Sequence, residues 1–236
     1  MEQQTPPDGF PSPTRIANAL RMGFCPSDRV FDRLLPHDLR AVSRQHWTPL
    51  AAAVHAARWL DDVGARTVVD IGSGAGKFAV AATLAGHFHL IGVEQRLRLV
   101  DASRNLAHLL GANDRVEFVH ATFGETPVPI ADAYYLYNPF GENLFGPEEH
   151  LDGDVELCGA RYRRDVTAVE RLMVDAPLGM HVLTYNGYGG TRPAGYQEVR
   201  VDHDLPNILR MWRKTRPAAP SVGPTSPGPS RSPRRA

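Results

Sequence analysis

The segment Val68-Val-Asp-Ile-Gly-Ser-Gly-Ala-Gly-Lys77 sets three glycines, Gly72, Gly74 and Gly76, directly after a run of mostly β-branched residues. Such a loop turns the chain tightly and lets backbone come close to a bound molecule, because no Cβ stands in the way. A helix beginning after the loop supplies free N–H groups. The spacing is G-x-G-x-G, with an acid, Asp70, two residues before the first glycine. Dinucleotide-binding folds usually carry G-x-G-x-x-G and seat a pyrophosphate on the helix end. Asp70 would repel a pyrophosphate and attract an ammonium group. Glu94 stands 22 residues after Gly72, at the end of the next apolar run. An acid there can accept from both hydroxyls of a ribose. The other reading of the glycines is a turn that only tightens strand–helix packing.

Together these residues resemble class I S-adenosylmethionine-dependent methyltransferases. Asp70-x-Gly72-x-Gly74-x-Gly76 matches the family's first motif and Glu94 its ribose-binding acid, over about residues 50–215. The resemblance implies S-adenosylmethionine as cofactor, with Asp70, Gly72, Ser73, Gly74 and Gly76 around its methionine part and Glu94 and Gln95 at its ribose. The adenine would lie near Thr122 and Phe123. Many members carry an acid after that strand, whereas this chain has Thr122, which accepts only weakly. Phe123 can pack on the ring or belong to the core.

Tyr134-Tyr-Leu-Tyr-Asn-Pro-Phe-Gly-Glu-Asn143 is similar to the Asn-Pro-Pro-aromatic motif of methyltransferases that act on nitrogen, with the second proline missing. In that motif the Asn side chain and an adjacent carbonyl accept from the target N–H group while the ring packs on it. The resemblance thus implies acceptor-site roles for Asn138, Pro139 and Phe140. A strand-end turn without a substrate role is the alternative, since Pro139 ends a ladder in any case. The Gly92-Val-Glu94 strand end and the Asn-Pro-Phe turn also resemble the non-SET histone lysine methyltransferases and related mitochondrial lysine methyltransferases. A protein lysine or a small-molecule amine is therefore the expected acceptor.

The chemistry is compatible with these residue types. The cofactor carries an activated methyl, so no protein nucleophile is required, and orientation alone can supply roughly 7–11 kcal/mol of barrier reduction. An amine must arrive neutral, and a lysine with a pKa near 10.4 is about 0.1% deprotonated at pH 7. Aromatic residues Tyr137, Phe140, Tyr185 and Tyr188 could lower that pKa by desolvation and hold the cation over their faces. They could equally be ordinary half-buried packing. Gln45-His-Trp-Thr-Pro49 could close over the cofactor, or Trp47 could anchor the N-terminal segment. Residues 186–191 read as a substrate lid or a plain hairpin connection.

These residues must be positioned by alternating strands and helices. Strands are expected at 67–71, 87–93, 116–120, 133–137 and 180–185, with helices at 50–63, 77–85, 96–110 and 161–175. Residues 196–201 and 208–213 read as a closing antiparallel pair. The pattern predicts βαβ units, hence an α/β fold with a doubly wound, mostly parallel sheet. The resemblance implies seven strands of the Rossmann-like methyltransferase type. Short helices broken at Pro26, Pro36 and Pro49 form an N-terminal helical cap at 14–49, with Asp28 as N-cap of a helix over 29–35. The methyltransferase domain follows at 50–216, and Pro- and Ser-rich tails are expected at 1–13 and 217–236.

At 236 residues, 42% hydrophobic and 22% charged, the chain suits one globular domain with attachments. Twenty-six basic residues balance twenty-six acidic ones, but seven basics and no acid follow Leu209, so the remainder is acidic. Seven charges over that length fall short of a nucleic-acid footprint, and nucleic acid is not expected as a partner. Two cysteines make no disulfide framework, and the histidines have no metal-ligand spacing, so no metal is expected. The start lacks a basic, apolar leader and no run is long enough for a membrane span, which predicts a cytoplasmic protein without membrane contact. Two competing functions remain. A nicotinamide-dependent oxidoreductase would need the longer glycine spacing, and a non-catalytic adenosine-ligand binder would explain Thr122 and the missing proline.

Overall fold

The computed structural model describes residues 11–217. The expected tails lie largely outside the described residues, except that helix α1 (Pro13–Arg21) already begins at Pro13, with Ser12 at its N-cap. Three short helices follow: α2 (Asp28–Phe31), α3 (His37–Ala41) and α4 (Ser43–His46). Then come α5 (Leu50–Asp62), β1 (Thr67–Ile71), α6 (Lys77–Ala85), β2 (His89–Glu94), α7 (Leu97–Leu110) and β3 (Val116–His120). The chain closes with β4 (Ala133–Leu136), α8 (Gly159–Asp175), β5 (His181–Tyr185), β6 (Tyr196–Asp202) and β7 (Leu209–Lys214).

The strands form one seven-stranded sheet in the order β3-β2-β1-β4-β5-β7-β6. All pairs are parallel except those of β7, which runs antiparallel to both β5 and β6. This is the α/β, doubly wound sheet that the βαβ pattern predicts. Its order reverses between β1 and β4, so the carboxyl ends of these two strands flank the natural ligand crevice.

Alternation along each strand sends side chains to two cores. Val68, Leu90, Tyr135 and Leu183 face a layer that includes residues of α1, α5, α6 and α7. Val69, Ile91, Tyr134 and Val182 face α8 through Val169 and Met173. Because both faces are covered, β1, β4 and β5 read as almost unbroken apolar runs. No helix among the described residues is long and apolar enough to cross a membrane.

Element ends depart from expectation where a side chain takes over the backbone partner. His87 lies before β2 because its N–H donates to Asp61 Oδ1 at 2.8 Å. Asp28 does not cap a helix over 29–35. Ser27 occupies the cap position, and Asp28 instead accepts the Leu50 N–H at 3.0 Å and pairs with Lys77 Nζ at 2.6 Å. Lys77, the first residue of α6, is 2% exposed and also meets Asp32 at 2.7 Å and Ser43 Oγ at 3.1 Å. The Asp32 contact is one of charge, not an aligned hydrogen bond. One ammonium thus fastens α2, the turn after it and α4 to the helix that leaves the glycine loop.

Removing one member of a buried ion cluster leaves the others unpaired in low dielectric, which typically costs about 3–5 kcal/mol. Lys77→Ala is expected to lower the unfolding free energy by about that amount in urea titration. A loss below about 1 kcal/mol would show that the cluster does not hold the cap.

Candidate functional site

At the carboxyl ends of β1, β2 and β4 lies a cleft of about 390 Å³, within the roughly 300–1,000 Å³ usual for small-molecule sites. One wall is the glycine loop and the end of β2: Gly72, Gly74, Glu94 and Gln95. Glu94 is buried, with Oε2 accepting from the Gly74 N–H at 3.0 Å and Oε1 from the Arg96 N–H at 2.8 Å. Burial raises its pKa, against the lowering effect of those N–H groups and the Arg96 charge. Each carboxylate oxygen retains a second lone pair, so hydroxyl donors can be added without breaking the loop.

Asp70 and Ser73 line a small cavity bordered also by His46, Trp47, Gly72 and Tyr137, which line the main cleft too. Asp70 Oδ2 and Ser73 Oγ are buried and have no hydrogen-bond partner among the described residues. Burial, and then the nearby Glu94 charge, push the Asp70 carboxyl well above the ordinary carboxylate range. An orphaned buried carboxylate oxygen is costly unless something pairs with it. A ligand ammonium group would fit that need, so the donor set agrees with an amino-acid-bearing nucleoside.

The glycines differ from expectation in what approaches them. Gly72 and Gly74 have φ of +76° and +54°, which demands glycine. A Cβ on Gly72 would come within 2.8 Å of Pro139 Cβ, and one on Gly74 would strike the Trp47 ring. The space freed by the missing Cβ atoms is therefore taken by protein, while the cleft meets the loop elsewhere on its backbone. Gly76, also at positive φ, lies below the loop against Ser103 and Phe118. Trp47 both anchors and lines: its Nε1 donates to the Leu39 carbonyl at 3.0 Å, and it borders the cleft with Gln45 and His46.

The facing wall carries Asn138, Pro139 and Phe140. Phe140 stacks on Phe123 with centroids 5.8 Å apart, which brings Phe123 into the wall. Thr122 is not on the wall; Ala121 and Phe123 are, and the Thr122 carbonyl accepts from the Glu125 and Thr126 N–H groups. The four-ring aromatic pocket is not assembled. Tyr137 and Phe140 line the cleft, but Tyr185 lies behind Tyr137 at 5.0 Å and Tyr188 is buried on the α8 side. Tyr185, the last residue of β5, faces the core shared with α5 and α6, while Tyr188, beyond the strand and two positive-φ residues, packs in the α8-side core with Phe140 and Phe123.

No protein-family profile matches the chain. It is similar to the ribosomal protein L11 methyltransferase of Escherichia coli (strain 55989 / EAEC), 40% identical over 62 residues, 25% of this chain. The chain thus matches about a fifth, 21%, of that relative's length. An RNA methyltransferase from Salinibacter ruber, solved with S-adenosyl-L-homocysteine, superposes with a TM-score of 0.51 at 19% identity, covering 75% of this chain and 98% of that one. Mitomycin 7-O-methyltransferase gives 0.53 at 19% identity, covering 87% and 61%. An O-methyltransferase from Bacillus cereus, again with S-adenosyl-L-homocysteine, gives 0.52 at 10% identity, covering 85% and 98%. The fold is that of the class I S-adenosylmethionine-dependent methyltransferases. Proteins named for RNA and for small molecules share it, so this methyltransferase fold does not itself select an acceptor or exclude nucleic acid.

Several residues of the cleft carry no motif signal in the sequence. Arg96 is buried on its wall, donating to Glu142 from both terminal nitrogens at 3.0 and 2.9 Å and from Nε to Asp152 Oδ1 at 2.7 Å. Burial opposes its charge, but those carboxylates outweigh that and raise its pKa. Glu142 also accepts the Leu151 N–H at 2.7 Å, so Arg96 straps residues 141–152 to the end of β2. Gln95 accepts from Arg161 of α8. His46, held below the usual histidine range by burial, borders the same cleft. The one sequence signal for the strap is charge: Arg96 directly follows Glu94-Gln95, and acids cluster after Asn138.

The Asp70 midpoint has a testable consequence. A carboxyl whose folded pKa is raised is more protonated in the native state, so its contribution to stability falls as pH rises from the unfolded value toward the folded one. Each pH unit of that rise corresponds to about 1.4 kcal/mol. Asp70→Asn should therefore gain melting temperature relative to wild type as pH rises above the ordinary carboxylate range, in calorimetry without ligand. A difference independent of pH would refute the burial effect.

Proposed function

We propose that the protein is a methyltransferase that uses S-adenosylmethionine to methylate a nitrogen acceptor, a protein lysine or a small-molecule amine. The observation that carries this reading is one cleft whose first wall is the glycine loop with Glu94 and whose second is Asn138-Pro139-Phe140. When bound, the cofactor supplies an activated methyl on a sulfonium centre. Asp70 offers its unpaired oxygen to an ammonium group, and Glu94 offers spare lone pairs to ribose hydroxyls. Phe123 provides an apolar surface for a base, and the buried walls limit water.

A nitrogen acceptor is supported by Asn138. Its side-chain amide borders the cleft and has no hydrogen-bond partner among the described residues, while its backbone is fixed by the Gly187 carbonyl at 2.9 Å. From Asn138 to Ala160 the chain carries Glu142, Glu148, Glu149, Asp152, Asp154 and Glu156, with no lysine or arginine. Two of these acids, Glu142 and Asp152, are paired with Arg96, and of the six only Glu142 borders the cleft, which Arg96 and Arg161 also line, so this charge does not select between an amine and a phosphate.

S-adenosylhomocysteine at 100 times its dissociation constant should add about 2.7 kcal/mol of stability, read as a thermal shift, and NAD should add none. A shift with NAD alone would overturn the reading in favour of an oxidoreductase. Glu94→Ala is expected to weaken S-adenosylhomocysteine binding at least about tenfold by calorimetry, the loss of more than one charge-assisted hydrogen bond. Unchanged affinity would remove Glu94 from the ribose site.

Asn138 has φ of +39°, so glycine is the substitution that keeps its backbone. Asn138→Gly should bind S-adenosylhomocysteine normally yet transfer labelled methyl to acceptors in a cell extract at least about tenfold more slowly. Full transfer by that variant would detach Asn138 from the acceptor, and binding without transfer by the wild type would mark a non-catalytic binder.

A further inference from the structure

Asn138 and Asn186 are the only non-glycine residues at positive φ among the described residues, at +39° and +59°. Both border the cleft. They also stand at equivalent places: the last rung between the parallel strands β4 and β5 joins Leu136 to Thr184, and each asparagine lies two residues beyond it. The two strand ends are stitched there, Asn138 N–H donating to the Gly187 carbonyl and Asn186 N–H to the Ile208 carbonyl at 3.2 Å. Parallel neighbours in register are about 4.8 Å apart. Backbone conformations of this kind persist for non-glycine residues where the surroundings impose them, and they gather at functional sites.

We propose that Asn186 is a second acceptor-binding residue, paired with Asn138, and that the pair selects a primary nitrogen and stops after one methyl. This rests on the nitrogen-methyltransferase reading above. A neutral –NH₂ group has two hydrogens to donate and one lone pair. The Asn138 backbone carbonyl accepts the Gly141 N–H at 3.1 Å, and its carboxamide oxygen, which carries no such bond, supplies one acceptor. The Asn186 carboxamide, which has no partner among the described residues, supplies the other. With both hydrogens held, the lone pair is left directed at the methyl group. It forms the new N–C bond as the C–S bond breaks and its electron pair passes to sulfur, and the methylammonium formed releases one proton to water. A hydroxyl has one hydrogen and satisfies one asparagine only. A secondary amine is in the same position, so a second transfer loses half of the orientation.

The test uses the full chain with trideuteromethyl S-adenosylmethionine and a cell extract, products being read by mass spectrometry after hydrolysis. Asn186→Gly keeps the left-handed backbone and removes only the carboxamide. The wild type should place one label per nitrogen. The variant should bind S-adenosylhomocysteine within twofold of wild type, melt no lower, and transfer about tenfold more slowly, the loss of one hydrogen bond of the stronger sort. Transfer by the variant within twofold of wild type, or wild-type products labelled twice on one nitrogen or on oxygen, would overturn the pairing while leaving the methyltransferase reading intact. Wild type that transfers no label at all would overturn both.

Discussion

A single buried carboxylate holds the cleft in shape. Glu94 reaches back from β2 to the Gly74 N–H and forward to the Arg96 N–H, so the loop after β1 and the start of α7 share one anchor. An ionised group in that position is expensive to desolvate, and the cost is offset only because directed N–H groups and the Arg96 charge surround it. Arg96 then extends the same electrostatic chain to Glu142 and Asp152. The ligand wall, the strap after β4 and the helix after β2 are consequently one connected polar network. The two walls of the cleft therefore share their supports.

The N-terminal helices are held by a second network of the opposite sense, with one cation among acids. Lys77 is adjacent to the glycine loop, and its ammonium lies against Asp28, Asp32 and Ser43. Trp47 closes the same contact by lying over Gly74. The cap therefore meets the loop from two sides, by charge at the helix start and by an aromatic ring on the backbone. Its residues Gln45, His46 and Trp47 belong to the cleft because of these contacts and not because of any motif of their own.

Much of the fold was legible in the sequence. The β-branched strand Thr67–Ile71, the helix Lys77–Ala85 and the strand Val116–His120 have the ends that local pattern expects, because the flanking glycines and polar turns stop them. That Gly72, Gly74 and Glu94 border one cleft was legible for the same reason: their positions are local to two adjacent strand ends. What was not legible depends on partners distant in the chain. Asp28 reads as a helix cap until Lys77, 49 residues on, draws its carboxylate away. Tyr185 reads as a neighbour of Phe140 until the pleat of β5 turns it into the opposite core. The equivalence of Asn138 and Asn186 appears only when β4 and β5 are set in register.

The chain has only two lysines, and both are enclosed: Lys77 among the cap's acids and Lys214 on the carbonyls of Met173 and Val174 at the end of α8. Every other cation is arginine. No side-chain amine of this sequence is therefore open to an electrophile in the folded state, whether a cross-linking ester or an activated methyl group. If its targets are lysines, the protein is poorly suited to be its own substrate, and amine-directed footprinting would report on its partners with little background from the folded chain itself.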